Sequence, residues 1–138
     1  MSPSSEQGQV TSFVVVFSLT LLVVAGLVLD GGLLLNARQQ ASDIAGEAAR
    51  AGAQAVDIGT LRASGRHAID PLQALAAADA YLRQVDADGV VTATAEQVTV
   101  TVTRTQRLQL LPLIGLREAT VTGTGSARSA RGVDQAQP

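Results

Sequence analysis

Residues 10–29 read VTSFVVVFSLTLLVVAGLVL, and this stretch, which we call the apolar segment, decides the fold. It contains no charged residue, and its few polar side chains are serines and threonines that can hydrogen-bond to their own helix. About twenty residues at 1.5 Å each span roughly 30 Å, which matches the hydrocarbon core of a bilayer. Because the segment is apolar on every side, it predicts a transmembrane helix, with a fully buried core helix as the alternative, and not an amphipathic surface helix.

The residues on either side of the apolar segment favour an uncleaved anchor over a secretory signal peptide. No Lys or Arg lies before Val10, and Asp30-Gly31-Gly32 stands where a signal peptide would have a small-x-small cleavage site. Residues 1–9 are therefore predicted to be an N-terminal leader or cytoplasmic stub. Arg38 and Arg50 follow the segment, and the positive-inside rule applied to them alone would place the C-terminal part in the cytoplasm.

Residues 30–56 predict an extension of the same helix, in which small side chains recur at spacings of three and four. We call them the small-residue stripe. Such a stripe lets another backbone approach closely, so it predicts packing either against identical neighbouring helices or against the chain's own domain. Asp30 marks the membrane boundary, as an interfacial polar stop or as a polar contact with a partner subunit. The stripe consists of Ala37, Ala41, Ala45, Ala48, Gly52 and Ala55.

Residues 57–127 predict a small α+β domain. After a connection up to Ile69, Asp70 and Pro71 predict the start of a second helix, because Asp is favoured at the N-cap and Pro at the first helical position. The turn that ends this helix is predicted at residues 86–89, where Gly89 can adopt a positive φ.

The second half of this domain alternates Val or Ala with Thr. Residues 91–95 and 98–103 have the period of two expected for a half-buried β-hairpin, and residues 119–127 predict a third strand. The fold class is thus α+β: a long N-terminal helix (transmembrane plus extension), a second helix and a small three-stranded antiparallel sheet. Residues 128–138 are predicted to be a disordered tail.

One stretch between the strands breaks the alternation and is dominated by Leu and Ile. Residues 108–116 predict a contribution to the domain's own core, and the alternative is an exposed contact patch for an adjacent subunit or the membrane surface. Its last seven residues, 110–116, are called the apolar loop below. The candidate patch consists of Leu110, Leu111, Leu113, Ile114 and Leu116.

The composition argues against catalysis and against nucleic-acid binding. There is no Cys, and the only histidine, His67, lies in a Gly-containing connection that is a poor platform for a catalytic triad. We therefore predict no enzyme activity, no cofactor, no metal site and no small-molecule substrate. The ten basic residues are not clustered and only three aromatics are present, so no nucleic-acid surface is predicted either.

Six stretches share the sequence features of a known family: residues 8–11, 26–32, 48–53, 98–103, 113–116 and 120–124. They resemble the TadE/TadG-like family, the pilin-like subunits encoded with Flp (Tad) pilus assembly systems, and the last three resemble its actinobacterial members. The resemblance implies a pilin-like fold and a single-pass cell-membrane protein, with its N-terminus in the cytoplasm and its C-terminal domain outside the membrane or in an extracellular pilus. For the orientation we follow the resemblance and not the positive-inside rule, because only two arginines support the opposite orientation.

This resemblance implies a pilin-like structural or assembly subunit of a Flp/Tad-type pilus or related secretion system. Its partners would be membrane lipid and other pilin-like or Tad assembly subunits, copies of itself included. A leader cleavage would fall between Gly8 and Gln9, but Phe13 stands where processed pilins carry Glu. The alternative is therefore a membrane-anchored accessory protein that recruits partners without entering a filament.

Overall fold

The structure, a computed structural model, describes residues 4–66 and 68–129. His67 and the predicted tail from residue 130 onward lie outside the described residues. The predicted α+β class is confirmed, with a long N-terminal helix and a three-stranded sheet. The elements are α1 (Ser4–Ala53), α2 (Ile58–Ser64), α3 (Pro71–Gln84), β1 (Asp88–Ala93), β2 (Gln97–Arg107), a 3-10 helix (Leu111–Ile114) and β3 (Glu118–Arg128).

The described chain forms two compact units. The first, which we call the anchor unit, contains the chain up to Leu35 together with Gln106–Ala119. The second, the sheet unit, contains Asn36–Thr105 and the chain from Thr120 onward.

Helix α1 runs without interruption from before the apolar segment through Gly52, the fifth of the six residues in the small-residue stripe. Gly31 and Gly32 lie inside it and do not break it, because a helical Gly costs only about 1 kcal/mol relative to Ala. As the sequence suggested, the hydroxyl of Ser12 donates to the carbonyl of Gly8 at 2.9 Å, and the hydroxyl of Thr20 donates to the carbonyl of Val16 at 2.8 Å.

Helix α2 was not anticipated, because residues 56–69 were expected to be a plain connection. The Asp57 carboxylate caps this helix by accepting the backbone N–H groups of Gly59 and Thr60 and the Thr60 hydroxyl. The Thr60 hydroxyl, followed by the two N–H groups, holds the pKa of Asp57 below its usual value. Gly65 ends the helix in the left-handed conformation, with a φ of 66°.

Helix α3 begins as predicted, with the Asp70 carboxylate accepting the N–H groups of Leu72 and Gln73. The expectation of a positive φ at Gly89 was wrong, since Asp86 has the positive φ, at 51°, and Gly89 lies in β1. A Cβ at Gly89 would lie 3.0 Å from Leu82 Cδ1, so glycine is needed there for close packing on α3.

The three strands are ordered β1-β2-β3. β1 pairs antiparallel with β2, with Val91 opposite Val100. β3 is also antiparallel to β2, because Thr101 lies next to Thr124 and Gln97 next to Arg128. The alternation predicted from the sequence is observed in β2, where the valines are buried and the intervening threonines are not.

The core of the sheet unit lies between α1, α3 and one face of the sheet. Most of its side chains are small, which brings the helix and strand backbones close together. The fully or almost fully buried members are Ala41, Ala45, Ala48, Ala49, Ile69, Ala74, Ala78, Leu82, Val98, Val100 and Val102.

Candidate membrane-anchoring site

The apolar segment of α1 is largely exposed. Its large apolar side chains, from Val10 to Leu29, are 52–69% exposed, and Phe13 and Phe17 stack with ring centroids 6.0 Å apart. Within residues 4–66 and 68–129, α1 is the one helix long and apolar enough to cross a membrane. Leaving so many large apolar side chains in water is unfavourable, whereas a bilayer accommodates them on all sides.

Asp30 directly follows the apolar segment and is fully buried within the anchor unit. Its carboxylate accepts three backbone N–H groups of one loop, from Gln109 at 2.8 Å, Leu110 at 3.0 Å and Leu111 at 2.7 Å. Leu111 is the first residue of the 3-10 helix, and Leu110 is its N-cap residue, whose side chain makes no capping hydrogen bond. Asp30 therefore fixes the backbone that leads into the 3-10 helix, although the two lie far apart in the chain.

Gly26 lies one helical turn before Asp30, on the same face of α1, and is also buried. A Cβ at this position would lie only 3.1 Å from Leu110 Cβ, so the missing side chain makes room for Leu110. The apolar loop is thus held against the last turn of the apolar segment by one apolar contact and three hydrogen bonds.

The residues predicted as an apolar contact patch fall into two groups. Leu110 and Leu111 are half-buried, whereas Leu113, Ile114 and Leu116 are 78%, 65% and 54% exposed. Leu108 is the one buried residue of the stretch 108–116, at 8% exposed, but it lies in the anchor unit and is not part of the core cluster of the sheet unit. The end of the apolar loop therefore presents three large apolar side chains to its surroundings.

The small-residue stripe lies inside the sheet unit. Ala37, Ala41, Ala45, Ala48 and Gly52 are buried, while Ala55 follows the end of α1 and is half-buried.

The stripe is covered by the chain's own sheet. A Cβ on Gly123 would lie 2.2 Å from the backbone N of Ser42, and one on Gly125 would lie 2.3 Å from the backbone N of Gly46. These two glycines bring β3 onto the backbone of α1. Of the two packing partners that the pattern left open, the structure shows the chain's own domain.

The leader residues Gly8 and Gln9 lie near the beginning of α1 and are exposed. Their cleavage stays a prediction.

The sequence interpretation missed Gly26, Gly123 and Gly125 as packing positions. The signal for the last two was the pair of glycines inside a predicted strand, since such glycines often mark the close approach of another backbone.

The exposed apolar segment and the buried small-residue stripe together define a class of protein. It is an α+β domain on a single N-terminal helix suited to membrane anchoring. The model of the Tad family, described as Flp pilus-assembly TadE/G-like, matches residues 8–63. The match covers most of α1 and most of α2, less than half of the chain, and it confirms the resemblance for that part. No curated protein and no solved structure matches the chain.

Proposed function

We propose that the protein is a pilin-like structural or assembly subunit of a Flp/Tad-type pilus or related secretion system, anchored through the apolar segment. The observation that carries this proposal is that the family match and the exposed apolar surface fall on the same part of the chain. The family match over residues 8–63 includes the whole apolar segment, and the large apolar side chains of that segment are more than half exposed. A surface of this kind requires lipid or other apolar helices around it.

The apolar segment is also the surface through which we expect other Tad subunits, or further copies of this chain, to pack. The small-residue stripe is covered by Gly123 and Gly125 of β3, so close packing of neighbouring helices on that face of α1 would require displacing the sheet. In the membrane, helices associate through van der Waals packing and through small or hydroxyl side chains. Ser12, Ser18 and Thr20 supply such side chains within the segment.

A second candidate function is an anchored accessory protein that recruits pilus components without entering the filament. Two observations favour it. Phe13 stands where processed pilins carry a glutamate, and the small-residue stripe is already occupied within the chain. An accessory protein would keep its N-terminus intact and would remain in the membrane when filaments are removed.

Filament isolation separates the two functions. Cells that carry the pilus system and an epitope-tagged chain are sheared, and the filament and membrane fractions are probed for the tag. A filament subunit is expected in the sheared fraction with Gln9 as its first residue, whereas an accessory protein stays with the membrane and retains Met1. A chain that leaves the pilus intact when deleted, and that associates with no Tad component, would contradict both.

Anchoring itself is tested by a matched pair of substitutions. Val16→Arg places a charge inside the apolar segment, where insertion is opposed by up to about 2.5–3.5 kcal/mol. Leu72→Arg introduces the same charge at a residue of α3 that is 79% exposed. We expect Val16→Arg to reduce the membrane-bound fraction and Leu72→Arg to leave it unchanged.

A further inference from the structure

We propose that the apolar loop, Leu110–Leu116, is a second membrane-contacting element that inserts Leu113, Ile114 and Leu116 among the lipid acyl chains at the end of the apolar segment. This inference rests on the proposed anchoring of α1 but not on a role in a pilus.

The first argument is the depth at which the loop is held. Leu110 packs on Gly26, which lies inside the uncharged stretch that ends at Leu29. At 1.5 Å per residue, Gly26 is about 5 Å inside the end of that stretch, so the start of the loop lies at hydrocarbon depth once α1 spans the bilayer. The loop and this part of α1 also belong to the same compact unit, the anchor unit.

The second argument is that the loop's backbone donors are satisfied from within the anchor unit. Gln109, Leu110 and Leu111 donate to Asp30, as described above. Further along, Leu113 donates to the Leu110 carbonyl and Leu116 to the Leu111 carbonyl. Irregular backbone is tolerated at membrane depth only where its polar groups find such partners, because lipid offers none.

The third argument is the arrangement of the side chains at the loop's end. Leu113, Ile114 and Leu116 are exposed, so they add three large side chains to the exposed apolar surface of the anchor unit. Arg107 and Arg117 flank the loop and are exposed, with Arg107 in an exposed ion pair with Glu118 at 3.6 Å. Arginines on either side of an apolar loop can extend to the phosphate groups of the lipid while the apolar side chains enter the bilayer.

Tryptophan fluorescence in vesicles tests this proposal. The chain contains no tryptophan, so Leu113→Trp creates a unique probe in the full-length protein. Val16→Trp is the positive control for the span, and Leu72→Trp, at an equally exposed leucine of α3, is the negative control. Each variant is reconstituted in phosphatidylcholine/phosphatidylglycerol vesicles whose acyl chains are brominated either near the glycerol end or near the chain end.

We expect the emission of Leu113→Trp to be blue-shifted and quenched several-fold more strongly than that of Leu72→Trp, with the greater effect from bromine near the glycerol end. Asp30→Ala in the Leu113→Trp background is expected to weaken this quenching, because the loop loses its hydrogen-bonded attachment.

Three results would overturn the proposal. In the first, Val16→Trp is quenched but Leu113→Trp behaves like Leu72→Trp. This result would refute the insertion of the loop and leave the anchoring of α1 intact. No quenching at either position would refute both. A blue shift at Leu113→Trp that bromine does not affect and that changes with the protein-to-lipid ratio would assign the patch to a protein partner.

Discussion

At the residue scale, Asp30 joins the two parts of the anchor unit through hydrogen bonds. Its carboxylate is buried, and it satisfies three backbone donors that lie about eighty positions further along the chain. An unsatisfied donor in a buried site is costly, so one substitution affects three amide groups together.

Asp30→Ala is therefore expected to loosen the loop while leaving the sheet unit folded. Amide hydrogen exchange in detergent micelles should become roughly tenfold faster or more at Gln109, Leu110 and Leu111. Asp43→Ala is the matched control on the same helix, because the Asp43 carboxylate is exposed and accepts only the side chain of Gln39. Unchanged protection at the three amides in Asp30→Ala would show that the carboxylate does not hold the loop.

Replacing glycine by alanine is expected to lower the stability of the sheet unit at one position and to raise it at another. Gly125→Ala would place a methyl group 2.3 Å from the Gly46 backbone, and such overpacking costs typically about 1–3 kcal/mol. Gly46→Ala meets nothing within 4 Å, and in a helix it should stabilise by about 0.5–1 kcal/mol. Denaturant unfolding of both variants in detergent measures the difference, and equal effects of the two would contradict the close packing of β3 on α1.

At the scale of elements, α2 depends on its two ends, because the helix has only seven residues and no buried one. Asp57 accepts three hydrogen bonds at its beginning, and Gly65 ends it in the left-handed conformation. The bridge between Val56 and Ile69 brings the two ends of this segment together. A helix this short is not stable alone, so its caps and its attachment decide whether it forms.

The cap predicts a pH dependence of stability. Hydrogen bonds from Thr60 and Gly59 hold the pKa of Asp57 below its unfolded value, so its contribution to stability is fully present above that value, about 3.9. The contribution is lost as the pH falls through the lower, folded-state pKa. Asp57→Asn keeps an acceptor but does not titrate.

We therefore expect the stability difference between the natural chain and Asp57→Asn to narrow between about pH 6 and pH 3. Thr60→Val removes the hydroxyl that lowers this pKa most, and it should weaken the same pH dependence. Unfolding curves at the two pH values measure both effects. A stability difference that does not change with pH would contradict the cap.

At the scale of the whole molecule, the fold was predictable wherever the periodicity was strict and local. The uncharged run from Val10 to Leu29 predicted the first helix, the Asp70-Pro71 pair predicted the start of α3, and the alternation in residues 98–103 predicted β2. Each of these signals lies within one element, so no knowledge of tertiary packing was needed.

The candidate site was predictable only in part, because its contacts join residues far apart in the chain. Asp30 could be placed at a membrane boundary, but no local pattern indicates that its acceptors serve Gln109 and the residues after it. The small-residue stripe suits a neighbouring helix and a sheet equally well, and the choice depends on Gly123 and Gly125 in the strand that faces it.

The central claim is that the apolar segment crosses the membrane once, and cysteine labelling on both sides of it tests this most directly. The chain has no cysteine, so each variant carries a single thiol. The thiol of Gln9→Cys lies before the segment, and that of Thr122→Cys lies after it. With a membrane-impermeant maleimide, we expect Thr122→Cys to react in intact cells and Gln9→Cys only after permeabilisation. Equal reaction of both thiols in intact cells, or recovery of the chain in the soluble fraction without detergent, would contradict the claim.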